Sequence, residues 1–274
     1  FFLATAAFLA LLFVLPSEGF IDSELGGTIL TITTFLLGII AGFYIYITST
    51  DYVHVKDLIA NENAGWMSLH RSVSLYHPPA AARLADAMDT YLRRTLDYEI
   101  MDYPRNTIAE FDATTTVVRK LPFKPKFASI HQVILGELDA ITAARQQLFV
   151  LGTKNLSAFS WTVLFALAAL VISSLYGLRT GEAFFDIVTV LIGSTIILLF
   201  LLIRDLDCYI WNERTFGFEA ETQLFQTIGK LPYFPAEAIA SGRIHPMESE
   251  YRIGTFVRYP ESLERTIAVH QSTP

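Results

Sequence analysis

The chain has 274 residues, 52% of them hydrophobic and 17% charged, and a net charge of −7. That balance carries no basic stripe for nucleic acid and places about a third of the chain in a membrane, which excludes most soluble enzymes. A single cysteine, Cys208, excludes both a disulfide framework within the chain and a cysteine-based zinc cage.

Four apolar runs lie at 1–15, 27–49, 156–177 and 183–203. A helix needs ~20 apolar residues to cross the hydrocarbon. The last three runs meet that length. The first begins at residue 1 and is read as a span whose start is missing. A cleaved signal peptide would want a basic leading region and a small-residue cleavage site, and neither is visible.

The second run is the most informative. Gly38 and Gly42 form a small-xxx-small pair, which lets two helices approach closely. Thr31, Phe35 and Ile39 fall at i, i+4 and i+8, one stripe of a helix. If several subunits ring an axis, that stripe makes an apolar constriction that gates by dewetting. The same spacing also suits packing against lipid or a neighbouring helix.

Between the hairpins, 50–155 reads as helical. Trp66, Leu69, Val73 and Tyr76 are at helical spacing until His77-Pro78-Pro79 stops them. A second helix, starting near Ala80, carries Leu84, Met88, Tyr91, Leu92 and Leu96 on one side. Tyr103-Pro104 is expected to end it. Residues 121–126 make a loop, and Ile130, Ile134, Leu138 and Ile141 form a third stripe. Gly152 marks a joint before the next run. These stripes predict a helical bundle.

Charge sets the topology. Of the 20 basic residues, 12 fall in 50–155 and 7 after Ile203, and between the paired runs there is only Arg179. Positive residues stay in the cytoplasm. The hairpin tips therefore face outward, while both ends and the long middle segment face inward. The tips and span ends carry Glu18, Asp22, Glu24, Glu182 and Asp186, an acidic outer mouth that favours cations. Arg204, Asp205 and Asp207 sit at the exit of the last span, as headgroup anchors or a carboxylate pair for a cation. Beyond them, Trp211, Phe216-Gly217-Phe218, a short helix over 219–228 and clustered prolines read as an extended strap.

The expected fold is an all-α membrane protein. It has a first transmembrane hairpin (1–49), a helical domain (50–155), a second hairpin (156–203) and a C-terminal strap (204–274). No phosphate loop, zinc-type His-Glu-x-x-His or Gly-x-Ser-x-Gly elbow is present, so neither an enzyme nor a cofactor is expected. Glu62, His70 and His77 could share a metal, but the usual reading of such residues is surface or helix packing.

Three stretches resemble the bestrophin-like domain family of bacterial membrane proteins. Phe35-Leu36-Leu37-Gly38 is similar to the Phe-x-Leu-Gly run of the bestrophin pore helix. Glu62 to Trp66, with Asp89-Thr90-Tyr91 through Glu99, resembles the family's Glu-containing and Tyr-x(n)-Glu helices. Ala143-Ala144-Arg145-Gln146-Gln147-Leu148 is similar to its approach to the third span. The resemblance implies a pentameric homo-oligomer in the bacterial inner membrane that passes small inorganic ions. It places the neck on Thr31, Phe35 and Ile39. The acidic calcium clasp of animal bestrophins has no counterpart here. A non-conducting accessory or sensor subunit, whose helices dock a partner, is the alternative.

Overall fold

The computed structural model describes residues 21–209, 218–258 and 262–271, together with Ala6, Ala10 and Val14. The first apolar run thus lies outside the described residues apart from isolated positions. The chain is mostly helical and divides into two units: Phe1–Tyr52 with Asn155–Trp211, and Val53–Lys154 with Asn212–Pro274.

Helix α1, Ser23–Tyr76, is 54 residues long and belongs to both units. Asp22 starts it, its Oδ2 accepting from Leu25 N at 3.2 Å. Its threonines turn their hydroxyls onto their own helix. Thr31 donates to Gly27 O at 2.8 Å, Thr33 to Ile29 O at 2.7 Å and Thr48 to Tyr44 O at 2.8 Å. Polar side chains can then sit in an apolar segment with no outside partner. No proline interrupts α1 until Pro78, where the fixed ring ends it. His77 then caps the next helix, its Nδ1 accepting from Ala80 N at 3.2 Å.

In the first unit, α1 packs with Leu37 and Ala41 against Leu164, Ala168, Val171 and Leu175 of α6 (Ala158–Gly177) and Ile196 and Ile203 of α7 (Ala183–Asp207). Ser157 caps α6, its Oγ accepting from Ser160 N at 3.1 Å. Among the described residues, three helices are long and apolar enough to cross a membrane: α1, α6 and α7.

The second unit holds α2 (Pro78–Leu96), α3 (Tyr103–Asn106), α4 (Ile108–Arg119) and α5 (Ala128–Leu151). Trp66, Leu69, Leu84, Met88, Tyr91, Leu92, Ile134 and Ile141 form its core. Gly65 is required there: a Cβ would lie 2.6 Å from Ile141 Cγ1. One boundary differs from expectation. α2 stops at Leu96, and Tyr103-Pro104 opens α3 rather than ending α2. Proline suits a first helical turn, where its missing N–H costs nothing.

A buried carboxyl organises this core. Glu62 Oε1 accepts from the Tyr91 hydroxyl and, at 3.4 Å, from Trp66 Nε1; Oε2 accepts from the Tyr103 hydroxyl at 2.7 Å. Arg145 Nη1 donates to the Tyr91 hydroxyl at 2.6 Å, and Nη2 to Pro104 O at 2.8 Å and Thr107 Oγ1 at 2.9 Å. The guanidinium lies 4.5 Å from the Phe111 ring centroid. Burial, then the neighbouring Glu62, pushes both tyrosine hydroxyls well above their ordinary range, so they serve as donors.

The tail departs from the all-α expectation. After α8 (Glu219–Thr227) it forms a three-stranded sheet in the order β1-β2-β3, with α9 (Ala236–Ala240) following β1. β1 (Tyr233–Pro235) pairs parallel with β2 (Glu250–Arg258), and β2 pairs antiparallel with β3 (Ser262–Gln271). Gly254 opposes Pro235, and a Cβ there would lie 2.6 Å from Tyr233 Cζ. The tail packs on its own chain: Leu224, Phe225, Ile228 and Tyr233 enter the core of the second unit. Arg252 clamps Asp89 at 2.6 and 3.0 Å, and the Tyr233 hydroxyl donates to Asp97 Oδ1 at 2.7 Å. Trp211, Phe216 and Gly217 lie outside the described residues.

The Glu62 network yields a stability prediction. Tyr103→Phe removes the donor to Glu62 Oε2 and leaves a buried acceptor unpaired, which costs about 1–3 kcal/mol. Tyr98→Phe, at a half-buried hydroxyl 3.3 Å from Arg94 Nη2, costs about 0.5 kcal/mol or less. Chemical denaturation of the purified protein measures both.

Candidate functional site

The open face of α1 is the candidate site. Leu37 is 5% exposed, whereas Phe35 and Ile39 are 67% and 54% exposed. Two residues on a helix turn through about 200°, so Phe35 lies on the face opposite Leu37. Thr31 is exposed on the same side, with its hydroxyl already committed to Gly27 O. Thr31, Phe35 and Ile39 therefore stand in one row that no other described part of the chain covers. Phe43 and Tyr46, also exposed, extend it. The i+4 period that singles out Phe35 and Ile39 reaches Phe43, and could have found it.

Gly38 and Gly42 lie on the exposed side too, and a Cβ added at either meets nothing within 4 Å. Among the described residues no helix of the same chain approaches them.

The outer acidic residues differ in their circumstances. Glu18 lies outside the described residues. Asp22 is used as the cap of α1. Glu24 is exposed in the first turn of α1, and Glu182 is exposed just before α7. Asp186 pairs with Arg179, Oδ1 to Nε at 2.9 Å and Oδ2 to Nη2 at 3.2 Å, and the arginine side chain is almost wholly buried. Of the four described acids, Asp186 is the one matched by a cation.

At the other end of α7, Arg204 and Asp205 form an exposed pair at 2.7 Å. Asp207 Oδ1 instead accepts from Leu156 N at 2.9 Å, fastening the segment that leads into α6. The two carboxylates thus have different partners. Glu62 and His77 are also committed, to the tyrosines and to Ala80 N. Among the described residues no group of three or more His, Cys, Asp or Glu could hold a metal ion.

Comparisons with known proteins agree with this architecture. No curated protein matches the chain. Among solved structures, one described as a membrane protein variant is similar at a TM-score of 0.61 and 14% identity, covering 74% of this chain and 87% of its own. A variant of a bacterial bestrophin homologue from Klebsiella pneumoniae is similar at 0.60 and 13% identity, covering 73% and 87%. Another structure of the Klebsiella pneumoniae homologue, phased on zinc, gives 0.57 and 15%, covering 74% and 87%. At such identities the likeness is one of fold. The Bestrophin-like domain family matches residues 1–208. By that match over most of its length, the chain belongs to the Bestrophin-like domain family.

Proposed function

We propose that this protein is one subunit of an oligomeric ion channel, a pentameric ring whose central pore is lined by α1. Family membership supports a channel. The uncovered row Thr31, Phe35 and Ile39 carries the assignment of the pore face. A row of large apolar side chains left bare on a helix whose other face is packed asks for lipid, a neighbour or a lumen. In a ring, copies of the Phe35 side chain would converge and make a constriction that excludes water when narrow. Gly38 and Gly42, open on the same side of the helix, would let a neighbouring copy approach closely.

On this reading the apolar run 1–15 is the first span and completes two hairpins, and the second unit is the cytoplasmic helical domain of a bacterial inner-membrane protein. The concentration of Lys and Arg in 50–155 and after Ile203 supports that orientation. Glu24 and Glu182 would supply the free negative charge of the outer mouth and favour cations weakly over anions. Asp186, paired with Arg179, contributes little to it.

Two measurements test the proposal. Phe35→Ala widens the constriction and raises single-channel conductance in planar bilayers, because dewetting weakens with width; unchanged current in a variant that still assembles would remove Phe35 from the neck. In asymmetric salt the wild-type reversal potential lies on the cation side of zero, and Glu24→Gln with Glu182→Gln moves it toward zero. A reversal at the chloride potential would overturn the selectivity.

A further inference from the structure

A second carboxyl, Glu221 of α8, is buried in the second unit close to the Glu62 network. It is 8% exposed, and its Oε2 has no hydrogen-bond partner among the described residues. The groups that face it are Glu62 and Asn63 from α1, Tyr91 from α2 and Tyr103 from α3. Arg145 of α5 stands behind Tyr91, bonded to that hydroxyl. Within α8, Glu219 and Gln223 are exposed.

The placement of donors decides which carboxyl carries charge. Glu62 accepts from two tyrosine hydroxyls and an indole N–H, an all-acceptor role that suits a carboxylate. Arg145 reaches it through Tyr91. Those donors are then spent. Glu221 receives no guanidinium and no hydroxyl; Asn63 lies near it and favours its charged form, but Asn63 Nδ2 makes no hydrogen bond of ordinary geometry. A bare carboxylate buried beside another carboxyl is costly unless it takes up a proton.

We propose that Glu221 is a proton-binding site, and that the proton it holds fastens α8 onto the second unit. The inference does not depend on the channel reading. With the proton in place, α8 inserts Leu224 and Phe225 into the core beside Trp66 and Tyr91. When the proton leaves to bulk water, two buried carboxylates repel each other within one core, and α8 lifts to expose Glu221.

Burial first, then Glu62, pushes the Glu221 acid up to about 8, opposed by Asn63. The closed form therefore holds a proton that the opened form, with an ordinary glutamic acid, releases at lower pH. Opening of α8 becomes about tenfold more frequent per pH unit between the ordinary glutamic range and about pH 8, and then levels off.

Hydrogen–deuterium exchange on the full chain in detergent tests this. Protection factors, already corrected for intrinsic exchange rates, should fall about tenfold per pH unit over residues 219–227 in the wild type from about pH 5.5 to 7.5. In Glu221→Gln, a neutral side chain of the same shape, they should stay flat. Flat wild-type protection, or an equal fall in both proteins, would overturn the proposal. A second readout needs only the wild type to fold: infrared difference spectra between neutral and alkaline pH. A carboxylic acid C=O stretch should be present at neutral pH and lost on alkalisation, with the Glu221→Gln protein, if it folds, lacking it. Its absence from the neutral wild type would also overturn the proposal.

Discussion

The structure depends on one seam of α1. Thr33, Leu37, Ala41 and Thr48 are buried in the first unit, and Val55, Ile59, Glu62, Trp66, Leu69, Val73 and Tyr76 in the second. Within each unit these residues recur every three or four positions, with a seven-residue step from Ala41 to Thr48 in the first, the period that keeps one face of a helix turned to its packing partners. Because that seam is closed by the chain's own helices, the opposite face is left uncovered by the described residues. The row through Phe35 is defined as much by what α1 packs elsewhere as by its own side chains.

The seam changes chemistry along its length. In the first unit it is small and apolar, with threonines satisfied within their own helix. In the second it includes Glu62, which only a complete set of donors can accommodate. Such networks set relative positions more than they add net stability, since a buried charge is costly to bring out of water. Tyr91, Tyr103 and Arg145 come from three further helices, so satisfying Glu62 fixes all four elements at once. The Glu221 carboxyl sits beside that network without sharing its donors, which is why a proton becomes part of the packing there.

Some of this was legible in the sequence. Long apolar runs announce α6, α7 and the first part of α1, because desolvation leaves few other places for them. The continuity of α1 was less visible, since composition changes near Thr50 while no breaker does. Pro104 misled the boundary of α2, because proline both ends helices and begins them. The strands were hidden by the prolines and aromatics around them, although the alternation of Tyr251, Ile253 and Thr255 hints at one. The Glu62 network was legible only as separate stretches: Trp66 lies four residues along the same helix, and Tyr91 and Arg145 fall in stretches that carry the family resemblance, but nothing in the sequence joins them. The two tyrosine partners of Glu62 lie 29 and 41 residues away in the chain, and Arg145 enters only through Tyr91. The pairing of Arg179 with Asp186 spans just seven residues, yet it needs a turn between two helices to form.

A conducting pore lined by the exposed face of α1 would make single cysteines on that face accessible to aqueous reagents during current flow. Cys208 is exposed and would be replaced by serine as the background. In that background, Phe35→Cys and Ile39→Cys channels should lose or change current within seconds of adding a charged, thiol-reactive methanethiosulfonate, while Leu37→Cys on the packed face should not respond. Reaction without any change in current at positions 35 and 39, or an equal response at position 37, would contradict the assignment of this face to the pore.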